Sequence, residues 1–324
     1  MWERVVAARR SGIYESHYLK ANSPDGRRAL WLKHTLLRPL DAPAIAELWA
    51  VCFERDQPPI VVKREVPWGR LQLSPKSVEI DAGGVRLTSR EASGTLADVS
   101  WTLRLSGGMA PLMHFRHDWM YAGGFPKKKL LTPAPNLRFD GELKVGERTW
   151  AIDGWRGLRG HNWGTEHAWS YAYGSCNLWE DGAERAVDGF SARVLMGGRR
   201  MPWLSAVVGH NPFVRQDRLR TLRATETRVE SASWSVGWRT SRGGVRLLMQ
   251  AEPESFAGLR YRHPDGRESF CYSSKFAVTE LAARGGQHRS ELGELELLFP
   301  EPLDGIALHP APGWTAADGD YRGD

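Results

Sequence analysis

Short segments in which apolar and polar residues alternate recur along the 324-residue chain and constrain its fold most strongly. Clear examples lie at 13–20, 29–37 and 47–54, and turn-forming sequences such as Ser-Pro-Asp-Gly at 23–26 separate them. An apolar repeat of two places successive side chains on opposite faces of a strand, whereas long helical patterns are nearly absent. The chain is therefore predicted to be all-β, with antiparallel strands and little helix.

The most informative single segment is GHNWGTEHAW, residues 160–169. It combines two histidines, a glutamate and an asparagine with two indole rings. These polar groups transfer protons or form hydrogen bonds, and the rings supply apolar surface. A purely structural strand needs the rings but not the polar groups. The segment therefore predicts a pocket.

Large and small side chains alternate in the strand predicted after this segment. His167, Trp169, Tyr171 and Tyr173 share one face, while the other face carries only Ala, Ser, Ala and Gly. A face of small residues either leaves space for a ligand inside a barrel or accepts close packing by another sheet. The sequence does not decide between these two alternatives.

Segment 160–179 (GHNWGTEHAWSYAYGSCNLW) resembles the signature of the hydroxyneurosporene synthase, or carotenoid 1,2-hydratase-like, family of the lipocalin-like superfamily. Similar motifs precede it in the family's order, at 14–22, 29–35, 126–130 and 153–157. The resemblance implies two tandem lipocalin-like antiparallel β-barrels. It does not imply one reaction, because the superfamily includes carotenoid hydratases, terpenoid and tocopherol cyclases and pericyclases.

The length of the chain allows two domains of ordinary size. We place the seam near Arg159, which gives an N-terminal lipocalin-like barrel at 1–158 and a C-terminal one at 159–324. The signature strand then opens the second barrel.

Composition limits the classes of partner. The net charge of +6 comes from scattered basic residues, with 127–129 the only tight cluster, and no nucleic-acid-binding motif accompanies them. No nucleic-acid partner is expected, while a weak association with a membrane surface stays open. Three separated cysteines without a CxxC pair and the lack of an apolar leader favour a reducing, cytoplasmic location. The oligomeric state is not predicted.

Neither a cofactor nor a metal ion is expected. No glycine-rich dinucleotide loop and no GxSxG motif is present. His161, Glu166 and His167 could supply a mixed ligand set, but their spacing does not specify a metal site. The sequence therefore favours cofactor-independent chemistry or plain binding of a hydrophobic small molecule.

The enzyme hypothesis is general acid chemistry on an apolar unsaturated substrate of isoprenoid or polyene type, by a hydratase, isomerase or cyclase. Glu166 is the predicted proton donor, with Asp153 as the second candidate, and His161 and His167 relay protons. Burial among indoles would raise the pKa of such a carboxylic acid, and aromatic faces would stabilise a carbocation. The remaining predicted substrate-binding residues of this region are Trp155, Asn162, Trp163, Trp169 and Tyr171.

The first predicted strand carries a second polar group. Glu15 and His17 share one face with Ile13 and Leu19, which suggests a polar site within a buried surface. Lys33 lies on the next strand, and we add all three polar residues to the substrate-binding set. The alternative is an ion pair between Glu15 and Lys33 that is only structural.

Two further hypotheses use the same aromatic lining. A lipocalin-like carrier would hold a lipid, polyene or polyketide-like ligand, and its acid–base groups would be structural. A pericyclase would orient its substrate by shape and hydrogen bonds, without proton transfer.

Overall fold

The computed structural model describes residues 5–7, 11–74, 76–216, 226–240, 243–284 and 286–323. The first half of the chain forms the following strands: β1 (Ile13–Asn22), β2 (Arg28–Arg38), β3 (Ile45–Glu54), β4 (Ile60–Pro67), β5 (Leu71–Leu73), β6 (Glu79–Ala82), β7 (Val85–Thr88), β8 (Glu91–Leu96), β9 (Val99–Gly107), β10 (Leu112–Met113), β11 (Lys128–Val145) and β12 (Arg148–Gly164). A single helical turn, α1 (Trp119–Ala122), precedes β11.

The second half continues with β13 (Ser170–Cys176), β14 (Ala186–Arg193), β15 (Leu195–Met196), β16 (Arg199–Arg200), β17 (Leu204–His210), β18 (Val214–Gln216), β19 (Glu226–Val229), β20 (Ser233–Thr240), β21 (Gly243–Gln250), β22 (Ala257–Arg262), β23 (Glu268–Ala283), β24 (Gly286–Phe299), β25 (Leu308–His309) and β26 (Tyr321–Gly323). Short 3-10 turns lie at Trp68–Arg70, Pro253–Ser255 and Ala316–Asp318. No helix among the described residues is long and apolar enough to cross a membrane.

Apart from β15 and β16, which pair only with each other, these strands form two large curled sheets, which confirms the predicted all-β tandem lipocalin-like class. The first sheet has the order β26-β4-β3-β2-β1-β12-β11-β9-β8-β7-β6-β5, with β10 on β11. The second has the order β18-β17-β14-β13-β24-β23-β21-β20-β19, with β22 on β23. Their strand pairs are antiparallel except for β22 and β25, which run parallel.

The chain passes from the first sheet to the second between Gly164 and Ser170. The predicted seam at Arg159 therefore falls inside β12, which pairs with β1 and β11 of the first sheet. The C-terminal strand β26 also returns to the first sheet, where it pairs with β4. The halves at 1–158 and 159–324 remain a predicted division, while the change of sheet lies a few residues later.

Apolar side chains of the described residues form three large layers and one small cluster of Leu112, Ala186 and Val208. One layer fills the inner face of the first sheet and includes Leu19, Leu36, Trp155 and Trp163. A second fills the inner face of the second sheet, around Trp234. A third layer lies between the two sheets and contains residues of both. The two sheets therefore share a buried interface in addition to their own cores.

Strand β1 lies at the centre of the first sheet and is buried along its whole length. Gly157 on β12 permits a close approach, because a Cβ atom there would lie 1.7 Å from the carbonyl oxygen of Lys20. The alternation of β1 sends Glu15 and His17 to the inner face. The alternate residues, including Tyr14 and Tyr18, face the second sheet. The same strand thus supplies polar side chains to two different interiors.

Candidate functional site

Three of the predicted site residues meet on the inner face of the first sheet. His161 of β12 lies directly opposite His17 of β1, and Glu15 lies two residues along β1. The Nε2 atoms of His161 and His17 are 2.7 Å and 3.0 Å from Oε1 of Glu15. All three side chains are completely buried. We call Glu15, His17 and His161 the inner cluster.

The ionisation of the inner cluster follows from its hydrogen bonds. Burial opposes the charge on Glu15, but the hydrogen bonds from His161 and His17 outweigh it and hold the pKa of Glu15 below its ordinary value. Burial and repulsion from His161 lower the pKa of His17 to about 4, although Glu15 opposes this. Glu15 is therefore a carboxylate at neutral pH and not a proton donor, and His17 is neutral.

A second group of polar side chains lies between the two sheets. The ring of His167 stacks on Tyr14 with a centroid distance of 3.8 Å and lies 4.5 Å from the ring of His263. The hydroxyl of Tyr14 and the Nδ1 atoms of both histidines are buried, and none has a hydrogen-bond partner among the described residues. Buried polar atoms without partners are rare in proteins. This group is therefore a candidate for contact with a ligand.

Two lysines join this group. The Nζ atom of Lys33 lies 3.9 Å from the ring centroid of Tyr261, and that of Lys128 lies 3.9 Å from the ring centroid of Tyr171. Neither ammonium forms an ion pair with a carboxylate of the described residues. Burial lowers the pKa of Lys128 to about 8; Glu296 opposes the shift and Lys33 adds to it. An amine with this pKa is suited to proton transfer near neutral pH.

The two lysines and His167 act on one another electrostatically. Burial lowers the pKa of His167 well below its ordinary value, and repulsion from Lys128 and Lys33 contributes. His167 is therefore neutral at pH 7. The inter-sheet cluster is defined as Tyr14, Lys33, Lys128, His167, Tyr171, Tyr261 and His263.

Hydrogen bonds fix the walls of the inter-sheet space. The hydroxyl of Tyr171 donates a short hydrogen bond to Glu296. Nearby, Tyr18 of the first sheet donates to the Tyr173 hydroxyl at 3.2 Å, and Tyr173 donates to Asp188 at 3.0 Å. Asp188 also accepts hydrogen bonds from Thr132 and His114. This network connects the two sheets and leaves Asp188 with three donors.

An open cavity of about 700 Å³ lies at one edge of the inter-sheet space, lined in part by Phe53 and Phe276. Lys275 connects it to the cluster, because its Nζ atom is 5.7 Å from the ring of Phe53 and 5.3 Å from that of Trp31. Lys33 also lies 5.3 Å from the Trp31 ring. Contacts between the buried side chains of Phe53, Lys275, Trp31 and Lys33 therefore connect the wall of the cavity to the inter-sheet cluster.

The two carboxylates predicted as proton donors lie at the surface. The side chain of Glu166 is 45% exposed and pairs with Lys127 at 2.6 Å. That of Asp153 is 91% exposed and pairs with Arg138. The burial that the acid role requires is therefore missing at both positions. The expected ion pair of Glu15 and Lys33 is also wrong, because Lys33 lies opposite Tyr18 and Glu15 opposite Leu36, on the other face.

The other residues that were predicted to bind substrate also lie in different parts of the structure. Trp163 stacks on His161 at 4.3 Å, and Trp155 belongs to the same inner layer. Trp169 is half-buried, with Arg200 above its ring, and Asn162 is half-buried opposite Ser16. Among the predicted residues, His167, Tyr171 and Lys33 meet in the inter-sheet cluster.

The face of small residues on β13 is closely packed. A Cβ atom on Gly174 would lie 2.2 Å from Sδ of Met249 and 3.0 Å from the ring of Trp234. Ala172 belongs to the same layer of the second sheet. The face is therefore closely packed, but by strands β20 and β21 of its own curled sheet and not by another sheet.

Sequence reasoning missed several polar residues of the inter-sheet space: Tyr14, Lys128, His263, Asp188 and Glu296. Four of them come from segments far from 160–179 and meet it only through the sheet pairing. The alternation of β1 was the available signal for Tyr14, because the face opposite Glu15 carries Tyr, Ser, Tyr and Lys.

No protein-family model matches the chain. It is 26% identical over 309 residues to an uncharacterized protein of Mycobacterium tuberculosis strain H37Rv, covering 87% of this chain and 84% of that protein. The corresponding protein of strain CDC 1551 matches equally.

Solved structures with this fold include a protein designated AttH from Nitrosomonas europaea, at 12% identity and a TM-score of 0.53, covering 88% of this chain and 91% of that one. Kievitone hydratase from Nectria haematococca matches at 10% identity and a TM-score of 0.52, over 89% of each chain. CghA with Sch210972 matches at 11% identity and a TM-score of 0.51, covering 89% of this chain and 88% of that one.

These comparisons define the class by fold. The chain has a tandem lipocalin-like fold. The inter-sheet and inner clusters are identified from this structure and not from the comparisons. At these identities the likeness to solved structures shows the fold alone. The narrower resemblance to the hydroxyneurosporene synthase family stays a prediction.

Proposed function

We propose that the chain is a hydratase or isomerase that acts in the inter-sheet space on an apolar molecule whose carbon–carbon double bond is conjugated to a carbonyl group. One observation carries this proposal. Tyr14, His167 and His263 carry buried hydrogen-bonding atoms without partners among the described residues, and these atoms adjoin two lysines that form no ion pair within the same set. A substrate with one polar, polarisable end and an apolar body would satisfy these atoms and contact the aromatic walls.

The acid available in this space limits the substrate. A lysine ammonium with a pKa of about 8 is too weak to protonate an isolated alkene to a carbocation. It can stabilise an enolate oxygen and protonate the adjacent carbon. We therefore narrow the substrate from the isolated isoprenoid double bond of the sequence hypothesis to an α,β-unsaturated carbonyl compound.

The proposed hydration uses three side chains. Neutral His167 accepts a proton from water through Nδ1 as the water oxygen adds to the β-carbon. The double-bond electrons move to the carbonyl oxygen, where the ammonium groups of Lys33 and Lys128 stabilise the enolate. Lys128 then protonates the α-carbon, and the proton on His167 returns to Lys128. The net change is addition of H and OH across the double bond. Isomerisation would follow if water were excluded.

Two further observations support this proposal. The open cavity is lined by Phe53, whose contacts through Lys275 and Trp31 reach Lys33, and we propose this cavity as the entrance for an apolar chain. Kievitone hydratase, a hydratase by name, has the same fold. At 10% identity that likeness supports the kind of enzyme only, and the substrate class rests on the lysines.

Ligand titration tests the proposal, with the protein's own tryptophans as the probe. A long-chain enone should quench their fluorescence saturably, and the matched saturated hydrocarbon should bind at least tenfold more weakly. Lys128→Met should weaken enone binding, whereas the surface variant Glu166→Gln should leave it unchanged. Equal affinity for the enone and the hydrocarbon in wild type and Lys128→Met would indicate an apolar carrier and contradict the proposal.

A further inference from the structure

The inner cluster has the composition and the geometry of a metal-ion site. It offers two imidazole nitrogens and one carboxylate oxygen, and these three atoms lie within 4.8 Å of one another. The separations of 2.7 Å and 3.0 Å from Oε1 of Glu15 are within about 1 Å of the ~3.3–3.6 Å edges of a tetrahedral site with bonds of ~2.0–2.2 Å, so a small outward shift of the side chains would admit an ion. The inner cluster lies on the face of the first sheet opposite the inter-sheet space.

The surroundings hold each of these side chains in place. The second carboxylate oxygen of Glu15 accepts hydrogen bonds from the backbone N–H groups of Val6 at 2.7 Å and Ala7 at 2.5 Å. Those bonds leave Oε1 directed at the two histidines. The rings of His17 and His161 stack at 4.0 Å, and Trp163 packs on the other side of His161 at 4.3 Å. Such support of ligands by neighbouring groups is a regular property of metal sites.

Hydrogen bonding gives one account of the same three residues. Both imidazoles direct Nε2 at a single carboxylate oxygen, so each must donate a proton to the same acceptor. A cation placed among the three atoms would instead bind the lone pairs of both Nε2 atoms and of the carboxylate oxygen, and each imidazole would carry its proton on Nδ1. Two histidines and one carboxylate form a common donor set for Zn²⁺ and for other divalent first-row ions.

We propose that Glu15, His17 and His161 bind one divalent first-row transition-metal ion, for which Zn²⁺ is the probe. The ion joins β1 to β12 at the centre of the first sheet and stabilises their pairing. It lies behind the segment of Val5 to Ala7, so it enters as the chain folds and exchanges slowly. The expectation of no metal, drawn from the sequence, did not consider Glu15 and His17 as ligands. Glu15 and His17 reach that position through the β1–β12 register.

The experiment uses the full chain without an affinity tag, produced in zinc-supplemented medium so that the ion is present during folding. Metal content per chain is measured by plasma mass spectrometry after exhaustive dialysis. His161→Gln and Glu15→Gln remove one ligand each. His114→Gln is the matched control, because His114 is also fully buried and bonded to a carboxylate, Asp188, but no second histidine shares that oxygen.

We expect about one zinc ion per wild-type chain and per His114→Gln chain, and at least a tenfold lower content in the two ligand variants. Production in cobalt-supplemented medium should give visible absorption bands of a bound Co²⁺ ion. X-ray absorption of the wild-type zinc protein should show imidazole ligands, and this holds even if the variants do not fold. Wild-type protein without stoichiometric zinc or cobalt, or His161→Gln that retains wild-type zinc content, would overturn the proposal.

Discussion

At the scale of single residues, burial separates the side chains that can transfer protons from those that cannot. Glu166 has the right neighbours in sequence but lies at the surface beside Lys127. Lys128 follows Lys127 directly, yet its ammonium lies against the ring of Tyr171 and its pKa falls to about 8. The sequence directed attention to segment 160–169 but not to Lys128, the proton donor of the proposed reaction, because the burial of a charge depends on the opposite sheet.

Lys128→Met should raise stability at pH 7 while it removes activity. The fall of the Lys128 pKa from 10.5 to about 8 corresponds to at most roughly 3 kcal/mol of unfavourable burial at neutral pH. Between pH 8 and 10.5 the lysine is protonated in the unfolded chain but largely neutral in the folded one. The free-energy cost of burying its charge is therefore fully present below pH 8 and disappears as pH rises to 10.5. Urea unfolding of both proteins across this range tests the prediction. A variant less stable than wild type at pH 7 contradicts it.

Glu166→Gln should change little. The Glu166–Lys127 pair is exposed on both sides, and exposed pairs contribute about 0–1 kcal/mol. We expect a melting temperature within about 2 °C of wild type and unchanged turnover. Thermal melts measure the first quantity before any substrate is known. A loss of turnover at unchanged stability would contradict this prediction and support Glu166 as the proton donor.

At the scale of elements, the alternation of β1 was readable but its register was not. The sequence correctly placed Glu15 and His17 on one face with Ile13 and Leu19. It could not show that His161 lies opposite His17, or that Lys33 lies opposite Tyr18. Register depends on turn lengths and on the pairing of distant strands, and a shift of one residue reverses every face.

The packed face of β13 yields a prediction at this scale. Gly174→Ala should destabilise the protein by roughly 1–3 kcal/mol, because the new methyl group must displace Met249 and Trp234. Gly244→Ala is the matched control, since no atom lies within 4 Å of a Cβ built there. Urea unfolding compares the two variants with wild type. Equal stability of all three would show that the second sheet retains free space at Gly174.

At the scale of the whole molecule, buried charges connect the two sheets. Lys20 of β1 reaches Ser175 of the second sheet, where its Nζ atom lies 3.3 Å from the backbone and side-chain oxygens. Ser175 donates a hydrogen bond to Glu294, which forms a buried ion pair with Lys275. The fold class with its two sheets was predictable from periodicity, whereas this charged interface was not, because none of its residues forms a local motif.

Glu294→Gln should cost about 3–5 kcal/mol, because it leaves a buried lysine without its partner. Burial opposes the charge on Glu294, but Lys275 and Lys20 hold its pKa below the ordinary 4.5. A lowered folded pKa contributes stability that is fully present above pH 4.5 and is lost as pH falls through the folded pKa. The gap between variant and wild type should therefore narrow in acid. Denaturant unfolding at pH 7 and below pH 4 measures it, and a constant gap would contradict this account.

Water labelled with ¹⁸O tests the central claim, that the inter-sheet cluster hydrates a carbonyl-conjugated double bond. The protein is incubated in H₂¹⁸O with a panel of long-chain enones and with matched isolated alkenes, and products are analysed by mass spectrometry. We predict a labelled β-hydroxy product from an enone. The reaction should fall on the order of 100-fold or more in Lys128→Met and persist in Glu166→Gln. Labelled product from isolated alkenes alone, or full activity in Lys128→Met with loss in Glu166→Gln, would contradict the claim.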